Sequence, residues 1–531
     1  MTVGLMLVPQ GVAYAALAGM PLVTGIYASL VPAIVAVLWS SSTRLGIGPT
    51  ALTSLLIGAS LTGLAEPGSA QWVALAAWMA ILSGLLQMLL GMVRFGWLLN
   101  LVTSPVLSGF TQAAALLILA SQLAALTGLR VPLGSLWAEP RWAHFDWAAG
   151  AFGVGSMLAL VLAKRRWPQF PAVIVVMGAA GALSWATGFA AAGGAVVGAL
   201  PAGLPHFYWP EGLPWSVLGE LTMPVLVVTL VSFLETASSA KIDHQSGGTR
   251  WNENQDLIAH GMAKISSGLC GSFATSASFS RSAINLYAGA RSGWATVFAT
   301  ALVLVALLWL MPALYHVPQA VLAAVVVTAI TGLIKPGMFA RLWRISRVEA
   351  CISLTTFALT LATAPRLYWG VLAGLLVNLS HFLYQRLHPR IIEVGLHPDG
   401  SLRDRHLWKL PPLGPHVLAL RMDAELDFAS ASALERNLSE RLAQHPETRH
   451  VCLFAQPINR IDVTGVETFA RLQALVSLQG SDLHISGLKL PVEQRLQRAG
   501  ALQAQPSLHI YRSDAAAVQA LTQTAQSDGT V

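Results

Sequence analysis

The chain of 531 residues is 54% hydrophobic and only 11% charged, with a mean hydropathy of +0.60, whereas soluble proteins carry about a quarter of their residues charged. Most of it must therefore face lipid. The net charge of +7 does not argue for nucleic acid, because the basic residues lie in short segments beside apolar runs, where membrane orientation accounts for them.

At the start, TVGLMLVPQGVAYAALAG lacks a basic n-region, so no cleavable signal peptide is expected. The chain begins inside its first helix, and a cytosolic leader ahead of it is expected to be missing. A spanning helix needs about 20 apolar residues, which places spans near 2–19, 22–40, 71–93, 104–126, 147–163 and 170–189. After the proline-rich PAGLPHFYWPEGLP a second set follows near 216–240, 254–272, 294–312, 317–334, 347–364 and 367–385. Two segments break the pattern: ALTSLLIGASLTG (51–63) and SRSAINLYAG (280–289) are too short to cross alone, and each follows a stretch poor in helix formers. Each set thus has seven segments with a short third one. Seven is odd, so the two sets run oppositely through the membrane, which is the signature of inverted-repeat transporters.

Charge fits that topology. With the N-terminus inside, the cytosolic loops hold Arg44, Arg94, Lys164, Arg165, Arg166, Lys241, Arg250, Arg291, Lys335, Arg341, Arg344 and Arg347. The outer loops hold only three basic residues, Arg130, Arg141 and Arg366, beside Glu66, Glu139, Asp146, Glu211 and Glu220. From His388 onward charges recur every few residues, as in a cytosolic domain. There HVLALRMDAEL, RHVCLFA and DLHISGL read as strands, and ASASALERNLSERLAQ and VTGVETFARLQALVSLQ as helices, giving a small α/β layer fold. The expected organisation is an all-α polytopic membrane domain over 1–388 (repeat one to about 190, repeat two from about 215), a linker at 389–406, the α/β domain at 407–525 and a tail at 526–531. Cys270, Cys351 and Cys452 lie far apart, without paired or metal-ligand spacing, so neither a disulfide nor a zinc site is expected, and they read as packing residues.

Irregular backbone at membrane depth is tolerated only where protein buries it or a watery cavity meets it, so the two short helices should face one another across a site. A helix N-terminus offers free N–H groups and partial positive charge, which suit an anion. Pro49 lies just ahead of the first short helix, with Gly46 and Gly48 allowing close approach. On the second, Ser278 and Ser280 flank Phe279 and can cap the helix or donate to a ligand, while Arg281 adds a fixed charge whose burial demands a partner. The competing reading is an Arg281 that snorkels to an interface. Glu235 is the other intramembrane charge, read as counter-charge to Arg281, as a proton carrier, or as a cytosol-facing helix end. Gln10 and Tyr14 share a helical face and can line the cavity, and His260 and Lys264 read as structural or cytosol-reaching.

The run VPQGVAYAALAGMPLVTGIYASLVPAIVAVLWSSSTRLGIGPTALTSLL, followed by VGALPAGLPHF, FLETASSAKI, NQDLIAHGMAKISSGLCGSF and SFSRSAIN, resembles the sulfate permease family, also called solute carrier family 26, over nearly the whole chain. The resemblance implies fourteen segments in two inverted repeats of UraA-like core and gate, an elevator-like motion, homodimers, a cytosolic STAS domain and an anion held between the third and tenth helices. By position it implies that Ser278, Ser280 and Arg281 form the tenth-helix anion site, Pro49, Thr50 and Ala51 the third-helix start, Gln10 and Tyr14 the first-helix wall, and Glu235 the acidic position of proton-coupled members. IDVTGVE (461–467) resembles the STAS turn whose hydroxyl can be phosphorylated, here Thr464, which as an unmodified residue is also a good helix cap.

The function expected is proton-coupled uptake of an oxyanion, first sulfate, by a multi-pass protein of the plasma or inner membrane. Sodium-coupled bicarbonate, proton-coupled dicarboxylate and anion exchange remain open alternatives, and a membrane-anchored STAS signalling protein with a cytosolic partner is the reading from another class. No enzyme is expected, since the sequence offers no nucleophile and base pair, phosphate loop or metal cluster, and no cofactor, metal or nucleic acid is expected either.

Overall fold

The structure is a computed structural model that describes residues 2–97, 103–129, 145–167, 170–201, 203–212, 215–247, 250–503 and 505–528. Arg130, Glu139 and Arg141, counted above among the outer-loop charges, lie outside the described residues. The chain divides into two compact units, Met1–Asn378 and Leu379–Val531.

The first unit opens with α1 (Thr2–Leu17), α2 (Thr24–Tyr27), α3 (Val31–Trp39), a short strand β1 (Gly46–Gly48) and the half-helix α4 (Ala51–Leu61). It continues with α5 (Ala70–Met92), α6 (Ser104–Thr127), α7 (Trp147–Arg166) and α8 (Ala172–Ala186). The second set repeats the plan: α9 (Trp215–Gly247), α10 (Glu253–Leu269), strand β2 (Ser276–Ser278) and the half-helix α11 (Phe279–Tyr287). Then α12 (Trp294–Val305) passes through a π-turn into α13 (Met311–Leu314), followed by α14 (Gln319–Ile330), α15 (Met338–Ile345), α16 (Arg347–Ala362) and α17 (Tyr368–Leu387). Counting α2 with α3 and α12 with α13, and setting α15 aside, each set has seven segments with a half-helix third. Among the described residues, five helices are long and apolar enough to cross a membrane, Ala70–Met92, Ser104–Thr127, Trp147–Arg166, Trp215–Lys241 and Trp294–Leu314.

Two expectations for this first unit need correction. The span placed at 22–40 is interrupted between α2 and α3, where Pro32 sits in the first turn of α3; it lacks the N–H that a continuous helix would bond to residue 28. The segment 338–345, read as loop, is the helix α15, none of whose residues is buried.

The second unit is a six-stranded sheet in the order β4-β3-β5-β6-β7-β8, made of β3 (Ile391–Leu396), β4 (Leu402–Asp404), β5 (Val417–Met422), β6 (His450–Phe454), β7 (Asp482–Ser486) and β8 (Leu508–Tyr511). Its helices are α18 (Arg405–Trp408), α19 (Ala431–Gln444), α20 (Val463–Leu478), α21 (Leu490–Arg498) and α22 (Asp514–Asp528). The strands β5 to β8 run parallel, and parallel strands need crossovers, which α19, α20 and α21 supply. One face buries Leu418, Leu420 and Met422 with Leu434, Leu438, Phe469 and Leu472; the other buries Ala419, Cys452 and Phe454 under Ala517 and Leu521 of α22. The stretch 389–406, expected to be a linker, supplies β3 and β4, with β3 pairing antiparallel to β5, and α22 continues into the expected tail. Of the cysteines, Cys452 packs in this core, Cys270 is half-buried and Cys351 is exposed, so packing does not account for Cys351.

Candidate functional site

The two half-helices are brought together by their preceding strands. β1 and β2 pair antiparallel, Gly46 opposite Ser278, Ile47 opposite Ala277 and Gly48 opposite Ser276, so the backbone that no helix ladder satisfies at this depth is satisfied here. Two glycines permit the approach. A Cβ at Gly46 would stand 2.5 Å from the Arg281 Cβ, and Gly48 has φ +151° with the Arg281 guanidinium beside it, a backbone conformation that L side chains rarely adopt.

Arg281 does not snorkel: it is 1% exposed. Its Nη2 donates to the Pro49 carbonyl at 2.9 Å and its Nη1 to Gln10 Oε1 at 3.4 Å, while Nε has no partner among the described residues. It therefore ties the start of α11 to the start of α4 and to α1, through neutral oxygens only. Ser278 stands at the N-cap position of α11 without making a side-chain cap bond. Its hydroxyl lies 3.2 Å from that of Ser280, and Phe279 and Ser280 are exposed, so this helix start presents two hydroxyls and an aromatic ring outward. The α4 start differs, because Thr50 caps it by accepting from the Thr53 N–H at 3.4 Å.

Thr50 Oγ1 also donates to Glu235 Oε2 at 3.0 Å, which places the half-buried Glu235 carboxylate at the α4 tip. Glu235 makes no ion pair with Arg281 among the described residues; its carboxylate accepts from the Thr50 hydroxyl instead. Tyr14 and Ala51 are buried together with Ala13, Ala115 and Ile118, so Tyr14 packs as wall while Gln10 makes the polar contact.

Lys264 is 1% exposed and His260 2%, which removes the cytosol-reaching alternative and leaves the structural one. Lys264 Nζ donates to Gln87 Oε1 at 2.6 Å and to Ser232 Oγ, linking α10, α5 and the α9 turn that precedes Glu235. Sequence reasoning did not single out Asp256, one turn before His260, although it gathers Ser40, Ser41, Ser42 and Trp251; the serine run SSS was the available signal. In the second unit the α20 cap is Asp462, accepting from Gly465 N–H at 2.8 Å and Phe428 N–H at 3.0 Å. Thr464 lies one residue inside the helix, so its expected capping role falls to Asp462.

Inverted strand and half-helix pairs meeting tip to tip inside a polytopic helical body, with a separate α/β sheet following, define a membrane protein of the transporter type. The chain belongs to the sulfate permease family, whose family model matches residues 1–356, and residues 413–517 match the STAS domain. It is similar to a probable sulfate transporter of Mycobacterium tuberculosis, with 30% identity over 98% of this chain and 94% of the relative. It is likewise similar to the chloroplastic sulfate transporter 4.1 of Arabidopsis thaliana, with 29% identity over 94% of this chain and 76% of that one. Among solved structures, the murine Slc26a9 anion transporter in its inward-facing state superposes with a TM-score of 0.87 at 21% identity, covering 98% of this chain and 90% of that one. The transmembrane domain of a cyanobacterial bicarbonate transporter, BicA, gives 0.61 at 18% identity, over 70% of this chain and 94% of that one. These two similarities establish the fold. The family consists of transporters, which agrees with the expectation that the chain is no enzyme.

Proposed function

We propose that the protein carries a small oxyanion, sulfate first, across the membrane together with protons, the anion docking at Ser278, Phe279 and Ser280 against the Pro49 to Ala51 tip. The observation that carries this is the buried Arg281, whose partners are neutral oxygens at the junction of two positive helix ends. A buried charge without a counter-charge costs at least about 3 kcal/mol in a membrane, and an anion at the tips removes that cost. Arg281 acts from behind the docking surface, as a fixed charge that also holds the two tips together, while Gln10 and Tyr14 support it. Glu235, bonded to the cap of α4 through Thr50, repels the anion when ionised and does so less when protonated, so proton and anion favour each other's binding. Alternating access is of the elevator type, the protein is a homodimer, and the STAS domain lies in the cytosol of a cell whose plasma or inner membrane holds the transporter. The choice of sulfate is supported by the relatives, a sulfate transporter and a probable sulfate transporter.

Uptake of labelled sulfate, bicarbonate and fumarate into proteoliposomes under imposed pH or sodium gradients tests it. Sulfate driven by an inward proton gradient is expected, with binding weakened at least about tenfold in Arg281→Ala, the loss of a charged donor, provided that the variant melts as a folded protein. Bicarbonate uptake driven by sodium would replace this reading with its competitor. In Glu235→Gln, binding is expected to persist while the pH drive disappears; full pH-driven uptake in that variant removes the proton-carrier role.

A further inference from the structure

Far from the membrane site in sequence, the STAS sheet gathers three imidazoles and a carboxylate. His450 opens β6 and Asp482 opens β7 directly opposite it in register; His484 follows on the same face of β7, and His509 of β8 is its register partner. His450 Nδ1 lies 3.2 Å from His484 Nε2 and 3.6 Å from Asp482 Oδ2. One ligand atom from each of these three residues falls within 4.8 Å of the others. His509 Nε2 is 4.0 Å from the same Asp482 oxygen, and its ring stacks on His484 with centroids 4.8 Å apart.

The geometry points to a site for a borderline divalent transition metal, zinc in the first place, held by His450 Nδ1, His484 Nε2 and Asp482 Oδ2, with His509 or water completing the shell. Two nitrogens bound tetrahedrally to one zinc are about 3.3 Å apart, the spacing that the His450 and His484 nitrogens already have. A simple hydrogen bond between the two rings would use two atoms and leave the approach of the Asp482 carboxylate to the same point without a purpose. The second shell is in place as well: His484 Nδ1 faces the Tyr511 hydroxyl at 3.1 Å, and an N–H donated there leaves the Nε2 lone pair for the metal. His450 then carries its proton on Nε2, so that binding requires a change of tautomer and no net proton loss from the rings. Imidazole and carboxylate together favour zinc, nickel or copper over magnesium or calcium. The His450 and His484 rings are buried, at 7% and 4% exposed, whereas the Asp482 and His509 side chains are 40% and 41% exposed, which gives an ion a way in. Cys452, opposite His484 in register, is packed in the core beneath Ala517 and Leu521 and is not among the converging ligand atoms. The four positions come from three strands, two of them on β7 and the others about 30 residues before and 25 after, which is why no compact ligand spacing shows in the sequence.

The test uses the full chain in detergent, with any affinity tag removed and metal stripped by chelator, titrated with zinc against a chromophoric competitor. One tight zinc per chain is expected, with cobalt giving the intense visible bands of a four-coordinate site. Asp482→Asn and His484→Gln should each weaken zinc at least about tenfold. Asp482 is exposed enough for its variant to remain folded if His484→Gln does not. Absence of stoichiometric zinc binding, or affinity unchanged in Asp482→Asn, overturns the site.

Discussion

The Asp256 carboxylate, fully buried at the start of α10, accepts from Ser40 Oγ at 2.7 Å, Ser41 N–H at 2.7 Å, Ser42 Oγ at 2.5 Å and Trp251 Nε1 at 2.8 Å. A buried anion is tolerated when donors surround it, and this one fastens the end of α3 to α10. Asp256→Asn turns an amide N–H₂ toward donors that need an acceptor, so a loss of about 3 kcal/mol is expected, read as a lower melting temperature in detergent; an unchanged melting temperature would show that the serines solvate themselves. Single residues of this kind divide in how legible they were. Arg281 and Glu235 stood out because charge inside an apolar run is rare. The partners of Asp256 and Lys264 did not, because Ser40 and Gln87 lie 216 and 177 residues away in the chain, and nothing local marks such a pairing. For Arg281 the sequence suggested a ligand-facing group; its burial places it behind the tips, a depth that no sequence pattern encodes.

At the scale of elements, the half-helices were readable from their shortness, but the strands that join them were not, since three residues each are too few to show an alternation. Pairing of the strands depends on the missing side chain at Gly46. Gly46→Ala would put a methyl into the Arg281 Cβ and, at 3.1 Å, against its backbone carbonyl carbon, so the strands must part. The expected result is destabilisation by about 1–3 kcal/mol together with weakened anion binding, both followed in one thermal-shift titration with sulfate. Gly178→Ala, in α8 with open space around it, is the control and should leave both unchanged. The break inside the span at 22–40 was not read from the sequence: Pro32 was the available signal, but continuous hydrophobicity across it suggested a single span.

For the molecule as a whole, the shift in charge near His388 marked where a second body begins, and the alternation of patterns beyond it marked an α/β sheet. What it concealed was the sheet's edge. β4 is only three residues long and polar, and β3, though mostly apolar, follows close on the last membrane helix and carries Glu393 at its centre, a charge that meets Arg405 and Arg441. Since the first unit holds Arg281, Pro49, Glu235 and both tips, protein ending at Pro389, ahead of β3, should retain sulfate binding in a scintillation proximity assay. A truncated protein that folds but binds no anion would assign part of the site to the STAS domain.

The three-pair ladder of β1 and β2, reinforced by the bond from Arg281 to the Pro49 carbonyl, has a kinetic meaning. Parting the tips would break backbone bonds at a depth where water is not there to replace them. Opening these tips like a pair of jaws would therefore be slow. The elevator-type motion proposed above would avoid that cost, because the clasp would stay closed and move whole past the surrounding helices.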